Sequence, residues 1–220
     1  SRNFTYVVPP NTCGNLINLT MNVTSSLGAK TFPLPLPIGL KSTTLSENFD
    51  SVGAPNLPSG WTTTVESGGG AFTTSNQAAD TAPNSAFAPN ANVTGASSLV
   101  SPLIAVNSQI ATVSFRHRYL VETPFDGGVL EISIGGGGFQ DIIAAGGSFT
   151  EGGYDGTLSA GNGSNPLSGR PAWTGNRSSF FTTTVQLPPS ANGQNVQLRW
   201  RLGTDSNTGT DFGYIGWYID

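Results

Sequence analysis

The chain has 220 residues, a formal net charge of −4 and only 10% charged residues, against about 25% in an ordinary soluble domain. With lysine confined to Lys30 and Lys41, there is no basic stripe to displace counterions, which excludes a nucleic-acid partner. The sequence contains no apolar run long enough for a membrane-spanning helix, and its single cysteine, Cys13, allows neither an internal disulfide nor a multi-cysteine zinc site.

Gly (29) and Pro (15) make up a fifth of the chain, yet Phe, Trp and Tyr supply 10% of it, too much apolar surface for a solvated coil. Ala, Leu, Glu and Lys never cluster and no segment repeats apolar residues at helical spacing, so helix is excluded as a main element. What remains is an all-β protein with long polar loops, of a surface type suited to secretion. The first residues read as the middle of a mature chain, without a signal peptide.

In chain order, Phe4 to Val8 reads as a short strand ending at Pro9-Pro10. Residues 15–26 alternate, with Ile17, Leu19, Met21 and Val23 on one face and Asn18, Thr20, Asn22 and Thr24 on the other, the period of a half-buried strand. Lys30 to Gly39 starts as a strand, but Pro33, Pro35 and Pro37 remove ladder donors and make it an edge segment or extended linker. Three strands in 40 residues bury too little for a core of their own. Residues 1–40 are therefore expected to be the last strands of an immunoglobulin-like module, with a Pro-rich linker.

From residue 43 a second unit runs to 220. Strands are expected at 45–50, 61–66, 70–75, 97–100, 110–122, 128–135, 138–143, 180–187, 194–203 and 214–220, separated by Gly- and Pro-rich turns. Short strands at this spacing define a β-sandwich or jelly roll. Residues 146–179 form an excursion too long for a simple connection. Alternation places Phe115, His117 and Tyr119 on one face and Arg116 and Arg118 on the other. Likewise Val196, Leu198, Trp200 and Leu202 oppose Arg199 and Arg201. The polar faces carry Arg116, Arg118, Arg199 and Arg201 beside Glu122 and Glu131, which reads as cross-strand ion pairing or as a shallow face whose arginine forks grip hydroxyls or carboxylates.

Five stretches, ENFDSVGAPNLPSGW (47–61), SFRHRYLVETPFDGGVLEISIGGG (114–137), RPAWTG (170–175), VQLRWRLGTDSN (196–207) and GWYID (216–220), occur in an order that resembles the MAM-like jelly-roll modules of secreted bacterial proteins. These include the C-terminal part of immune inhibitor A-type metallopeptidases. The resemblance covers about residues 45–220, and CGNLINLTMNVTSSLG (13–28) looks like the end of the immunoglobulin-like module that often precedes such a jelly roll. It implies a non-catalytic accessory domain, a binding or spacer module partnered by other domains of one exported polypeptide and by a glycan or protein surface. It also implies one structural calcium pinning the first strand to the last, held by Glu47 or Asp50 with Asp220. Asp50, which leads into the loop SVGAPNLPSG, is the better placed of the first two. The family's last strand continues past GWYID with another Asp, which this sequence, ending at Asp220, does not include.

Residue chemistry alone offers little for catalysis. His117, the one histidine, falls on the apolar face of its strand, and Cys13 lies far from it in sequence. Glu122, Asp126 and Glu131 are the carboxylates a glycosidase would need, although the Asp126-Gly127-Gly128 run reads equally as a turn. Asp205, Asn207, Gly209 and Asp211 alternate as in a calcium loop but lack the bidentate Glu of an EF-hand. N-x-[ST] triplets begin at Asn3, Asn18, Asn22, Asn92, Asn162 and Asn176. Trp61, Trp200 and Trp217 are expected to pack in or at the ends of the core. Trp173 in the long excursion either packs down onto the sandwich or, with Arg116 and Arg118, offers a ring to a sugar. A carbohydrate-binding module is the alternative function, and a glycoside hydrolase the third.

Overall fold

The computed structural model describes residues 7, 16–39, 41–161, 165–207 and 209–220. The expected strand at 4–8 falls almost wholly outside these residues, and Cys13, Asn3 and Asn162 lie outside them. The strands are β1 Leu16–Ser25, β2 Gly28–Pro37, β3 Thr62–Glu66, β4 Thr73–Ser75, β5 Ser85–Pro89, β6 Gly95–Val100, β7 Ile104–Val106 and β8 Thr112–Leu120. They continue with β9 Gly127–Ile134, β10 Gln140–Asp141, β11 Ser148–Glu151, β12 Gly156–Thr157, β13 Pro171–Ala172, β14 Asn176–Gln186, β15 Gln194–Thr204 and β16 Gly216–Ile219.

β1 and β2 form a two-stranded antiparallel hairpin whose register runs from Leu16↔Pro37 to Ser25↔Gly28. The proline-bearing segment is thus paired along its whole length. Pro33, Pro35 and Pro37 share one parity on a strand paired with β1, so the edge facing away from β1 lacks its donors from residue 33 onward. The hairpin keeps Met21, Val23, Phe32, Leu34 and Leu36 exposed.

The remaining strands build two main antiparallel sheets. Sheet I has the order β10-β9-β15-β6-β3, with β7 also on β15; sheet II has the order β11-β14-β8-β16-β5-β4. This is a β-sandwich, the all-β architecture that the alternating segments require. Its core takes Leu130, Ile132, Val196, Leu198, Trp200 and Leu202 from sheet I and Phe115, His117, Tyr119, Trp217 and Ile219 from sheet II. At β9 the run Asp126-Gly127-Gly128 is not a turn. A Cβ on Gly128 would lie 2.6 Å from the Trp217 ring, and one on Gly127 would lie 2.7 Å from the Trp173 carbonyl, so both glycines are there for close packing inside a strand.

Residues 45–50 are not a strand. Glu47 Oε1 accepts the N–H groups of Asn48 and Phe49, and Asn48 Oδ1 accepts that of Asp50. Side chains that bond their own backbone divert it from a ladder. The first strand expected in the second unit is therefore not formed, and the last strand, β16, is flanked by β8 and β5 instead.

Candidate functional site

Trp173 does not offer its ring to a ligand. It is 1% exposed, donates from Nε1 to the Gly152 carbonyl at 3.0 Å, and packs against Phe115, His117, Phe149, Tyr154 and Trp217. The long excursion folds down onto the sandwich, as one of its two sequence readings has it. There it also buries Leu158, Leu167 and Ala172 on Val129, on the outer side of sheet I. Arg170 from the same excursion meets Glu131 at 2.6 Å and Asp141 at 2.9 Å.

Glu131 is the hub of the ion pairs on that face. It is 3% exposed, bonded to Arg170 and to Arg199 at 2.5 Å, with Arg201 4.0 Å away. Arg201 in turn meets Glu66 at 2.5 Å. These arginines are taken up by carboxylates, so the face is a ladder and not a grip. Glu122, expected in it, lies elsewhere.

Arg116 and Arg118 lie on the outer side of sheet II and differ in their partners. Arg116 holds Asp80 with a fork, Nε to Oδ2 at 2.9 Å and Nη2 to Oδ1 at 2.8 Å, and donates to Thr182 and to the Phe180 carbonyl. Those bonds hold the Asp80 carboxyl below its ordinary range. Arg118 is the one described arginine with no ion pair among the described residues. Its guanidinium sits 5.3 Å from the Tyr218 ring and 6.0 Å from that of Phe180. On the far side of Tyr218, Phe87 stacks at 4.3 Å. The register that pairs Phe87 with Tyr218 and Tyr218 with Arg118 makes this row, which crosses four neighbouring strands as Phe180, Arg118, Tyr218, Phe87.

Glu47, Asp50 and Asp220 do not converge as a set of three. Asp220 Oδ2 accepts the N–H groups of Asp80 and Thr81 at 2.8 Å, and its Oδ1 accepts the Thr81 hydroxyl at 3.0 Å. Burial pushes its carboxyl up against those bonds, and the charge of Asp50 adds to the rise, so the two carboxylates are electrostatic neighbours. Asp50 Oδ1 accepts the Asn84 N–H at 2.8 Å, while Oδ2 accepts Asn48 Nδ2 at 2.7 Å. Glu47 is occupied by its own turn.

Among the described residues, the carboxylates that do converge are Glu122, Asp126 and Asp205, each with an oxygen within 4.8 Å of the others. They lie at one end of the sandwich beside an open cavity of about 490 Å³ whose walls include Asn92, Glu122, Phe125, Asp205 and Phe212. Asp126 is fully buried, with Oδ1 accepting the Asp205 N–H and Oδ2 accepting Asn90 Nδ2, both at 2.8 Å. Burial raises its carboxyl to about 7; those two hydrogen bonds oppose the rise, and the charges of Asp205 and Glu122 add to it. Within the sequence-level calcium loop, Asp205 Oδ1 accepts the Asn207 N–H, and Asp211 accepts Asn92 Nδ2. The members of that loop are thus drawn to different partners.

The geometry defines an antiparallel β-sandwich domain with two polar surfaces of interest, the Arg118 row and the acidic end. No protein-family model matches the chain, and no curated protein matches it. Two solved structures resemble it. One is described as the structural basis for the promiscuous specificity of carbohydrate-binding modules from the β-sandwich superfamily, at 12% identity and a TM-score of 0.42, covering 93% of this chain and 72% of that one. The other is the K1 cleaved adhesin domain of Lys-gingipain from Porphyromonas gingivalis W83, at 17% identity and a TM-score of 0.40, covering 81% of this chain and 98% of that one. At these identities neither likeness defines a ligand for this chain. No helix among the described residues is long and apolar enough to cross a membrane.

Proposed function

We propose that residues 43–220 are a non-catalytic binding module of an exported polypeptide, a MAM-like jelly roll that takes carbohydrate on the outer face of sheet II. One observation carries this reading: Arg118, free of any described carboxylate, lies in a row with Phe180, Tyr218 and Phe87. A guanidinium fork donates to vicinal hydroxyls or to a uronate carboxylate, and the half-buried rings of Phe180 and Phe87 supply apolar surface on which a sugar ring stacks, with Tyr218 buried beneath the row. Trp173 has no part in it.

The hydrolase reading finds less support. Asp126 is fully buried, and Glu131 is bonded to two arginines, so neither is placed to act on a sugar. Calcium between Asp50 and Asp220 remains part of the proposal, supported by the short segment that both carboxylates bond, Asp220 through the N–H groups of Asp80 and Thr81 and Asp50 through that of Asn84, with loop carbonyls completing the shell; Glu47 is left out of it.

The test is a glycan array spanning neutral and uronate-bearing polysaccharides, followed by titration of any hit. Arg118→Ala and Phe180→Ala should each weaken binding by about tenfold, equivalent to about 1.4 kcal/mol. An array without hits, or a hit that both variants bind as tightly as the wild type, overturns the reading.

A further inference from the structure

We propose that Glu122, Asp126 and Asp205 form a binding site for a divalent cation of the calcium type at the end of the sandwich, separate from the Asp50–Asp220 pair and from the Arg118 row. Three elements bring these residues together. Glu122 follows β8, Asp126 directly precedes β9, and Asp205 directly follows β15. Because β9 and β15 pair in register from Gly203↔Gly127 onward, the sheet itself fixes Asp126 beside Asp205.

Three carboxylates with oxygens inside 4.8 Å repel one another unless something positive lies among them. Among the described residues, none of the three takes part in an ion pair with Arg, Lys or His.

A second observation, independent of the acidic cluster, points to the same ligand. The Asn90 side chain is 0% exposed and lies against Asp126 through its Nδ2. Its Oδ1, bonded to the same carbon as that nitrogen, is buried without a hydrogen-bond partner. Asn92, a residue of the cavity wall, also has a buried and unpartnered Oδ1, which lies beside Gly209. Native proteins seldom leave such acceptors orphaned, and an unplaced ion is one of the standard reasons. No N–H or O–H reaches either oxygen, whereas a hard cation accepts carboxamide oxygens and carboxylates alike.

The donor set selects the ion. All candidate atoms are oxygens, which excludes the sulfur- and imidazole-seeking metals. Three carboxylates within 4.8 Å of one another, with the Asn90 carboxamide against one of them, suit a cation that takes six to eight oxygens in flexible geometry, rather than Mg²⁺, which keeps most of its waters. The adjoining cavity gives entry and leaves room for water to complete the shell.

The experiment is calorimetric titration of CaCl2 into the chelator-stripped chain, as wild type, Glu122→Gln, Asp205→Asn and the double variant Asp50→Asn/Asp220→Asn. Glu122→Gln and Asp205→Asn each keep the side-chain shape, and Asn at 205 can still accept the Asn207 N–H. We expect the acidic end to give a binding event in the range of roughly 10⁻⁴ to 10⁻³ M, as in extracellular modules, beside the event at the Asp50–Asp220 pair. The acidic-end event should weaken at least tenfold in Glu122→Gln and in Asp205→Asn and persist in the double variant. If Asp205→Asn loses its native circular dichroism, Glu122→Gln alone decides. The proposal is overturned if the wild type takes up no Ca²⁺ at about 10 mM, ten times the weakest affinity expected, or if Glu122→Gln binds it unchanged. Loss of an event only in the double variant would overturn the acidic end and uphold the Asp50–Asp220 pair. Glycan binding, measured in EDTA, reports on the Arg118 row apart from both.

Discussion

Trp217 donates from Nε1 to His117 Nδ1 at 3.0 Å, and both side chains are buried in the sandwich. An indole N–H is a donor only, so Nδ1 must accept and the imidazole is the neutral tautomer protonated at Nε2. That proton goes to the Thr183 hydroxyl at 2.8 Å, which donates onward to the Gly152 carbonyl. The imidazole thus donates to the hydroxyl, the reverse of a base that accepts a nucleophile's proton, and both groups are 0% exposed within a chain of bonds that ends on the backbone.

Burial lowers the His117 pKa to about 3 from 6.5, with the charges of Arg177 and Arg116 adding to the effect. Between those values the unfolded chain binds a proton that the folded one refuses. Stability should therefore rise with pH across this window, by up to about 1.4 kcal/mol per unit from this group, and the contribution is lost as pH falls from 6.5 towards 3. In NMR the His117 ring shifts should stay those of the Nε2–H tautomer down to about pH 4, below the ordinary range of a histidine. A midpoint near 6.5 in the folded state would contradict the buried chain of bonds.

Glu131→Gln should destabilise the domain by about 3–5 kcal/mol, because it leaves Arg170 and Arg199 around a site that has lost its charge. Urea unfolding measures it. A loss below about 1 kcal/mol, the worth of an exposed pair, would mean that the ladder is solvated.

Gly128→Ala should cost about 1–3 kcal/mol, since its Cβ would lie 2.6 Å from the Trp217 ring and the strand backbone has nowhere to move. Gly138→Ala meets nothing within 4 Å and should change stability by less than about 0.5 kcal/mol. Equal effects at the two sites would contradict the assigned packing.

Trp173→Ala should cost about 3–5 kcal/mol, and Trp173→Phe, which keeps most of the volume, should bind any glycan hit as the wild type does. A specific loss of binding in a fully folded Trp173→Phe protein would return that ring to the ligand site.

The sandwich was legible where apolar and polar residues alternate. Phe115, His117 and Tyr119 point inward and Arg116 and Arg118 outward, as do their counterparts in β9 and β15. β5 was hidden because Ser85 to Pro89, apart from Phe87, is built of small residues and proline, whose place in a sheet comes from β16 and not from β propensity. Residues 45–50 carry strand-like letters, but Glu47 and Asn48 bond their own backbone. Glu122, Asp126 and Glu131 are near one another in sequence, yet Glu131 faces the arginines of sheet I, and the third member of the acidic end, Asp205, comes from a distant strand. Pairing of β9 with β15 makes that contact, and no local pattern announces it. The aromatic companions of Arg118 were hidden for the same reason, coming from β5, β14 and β16.

The most direct measurement of the binding account is backbone NMR of the chain titrated with a glycan that binds it. Shifts confined to the amides around Phe87, Arg118, Phe180 and Tyr218 are the predicted result. Shifts centred instead on Phe125, Asp205 and Phe212, or on the β1–β2 hairpin, would contradict it.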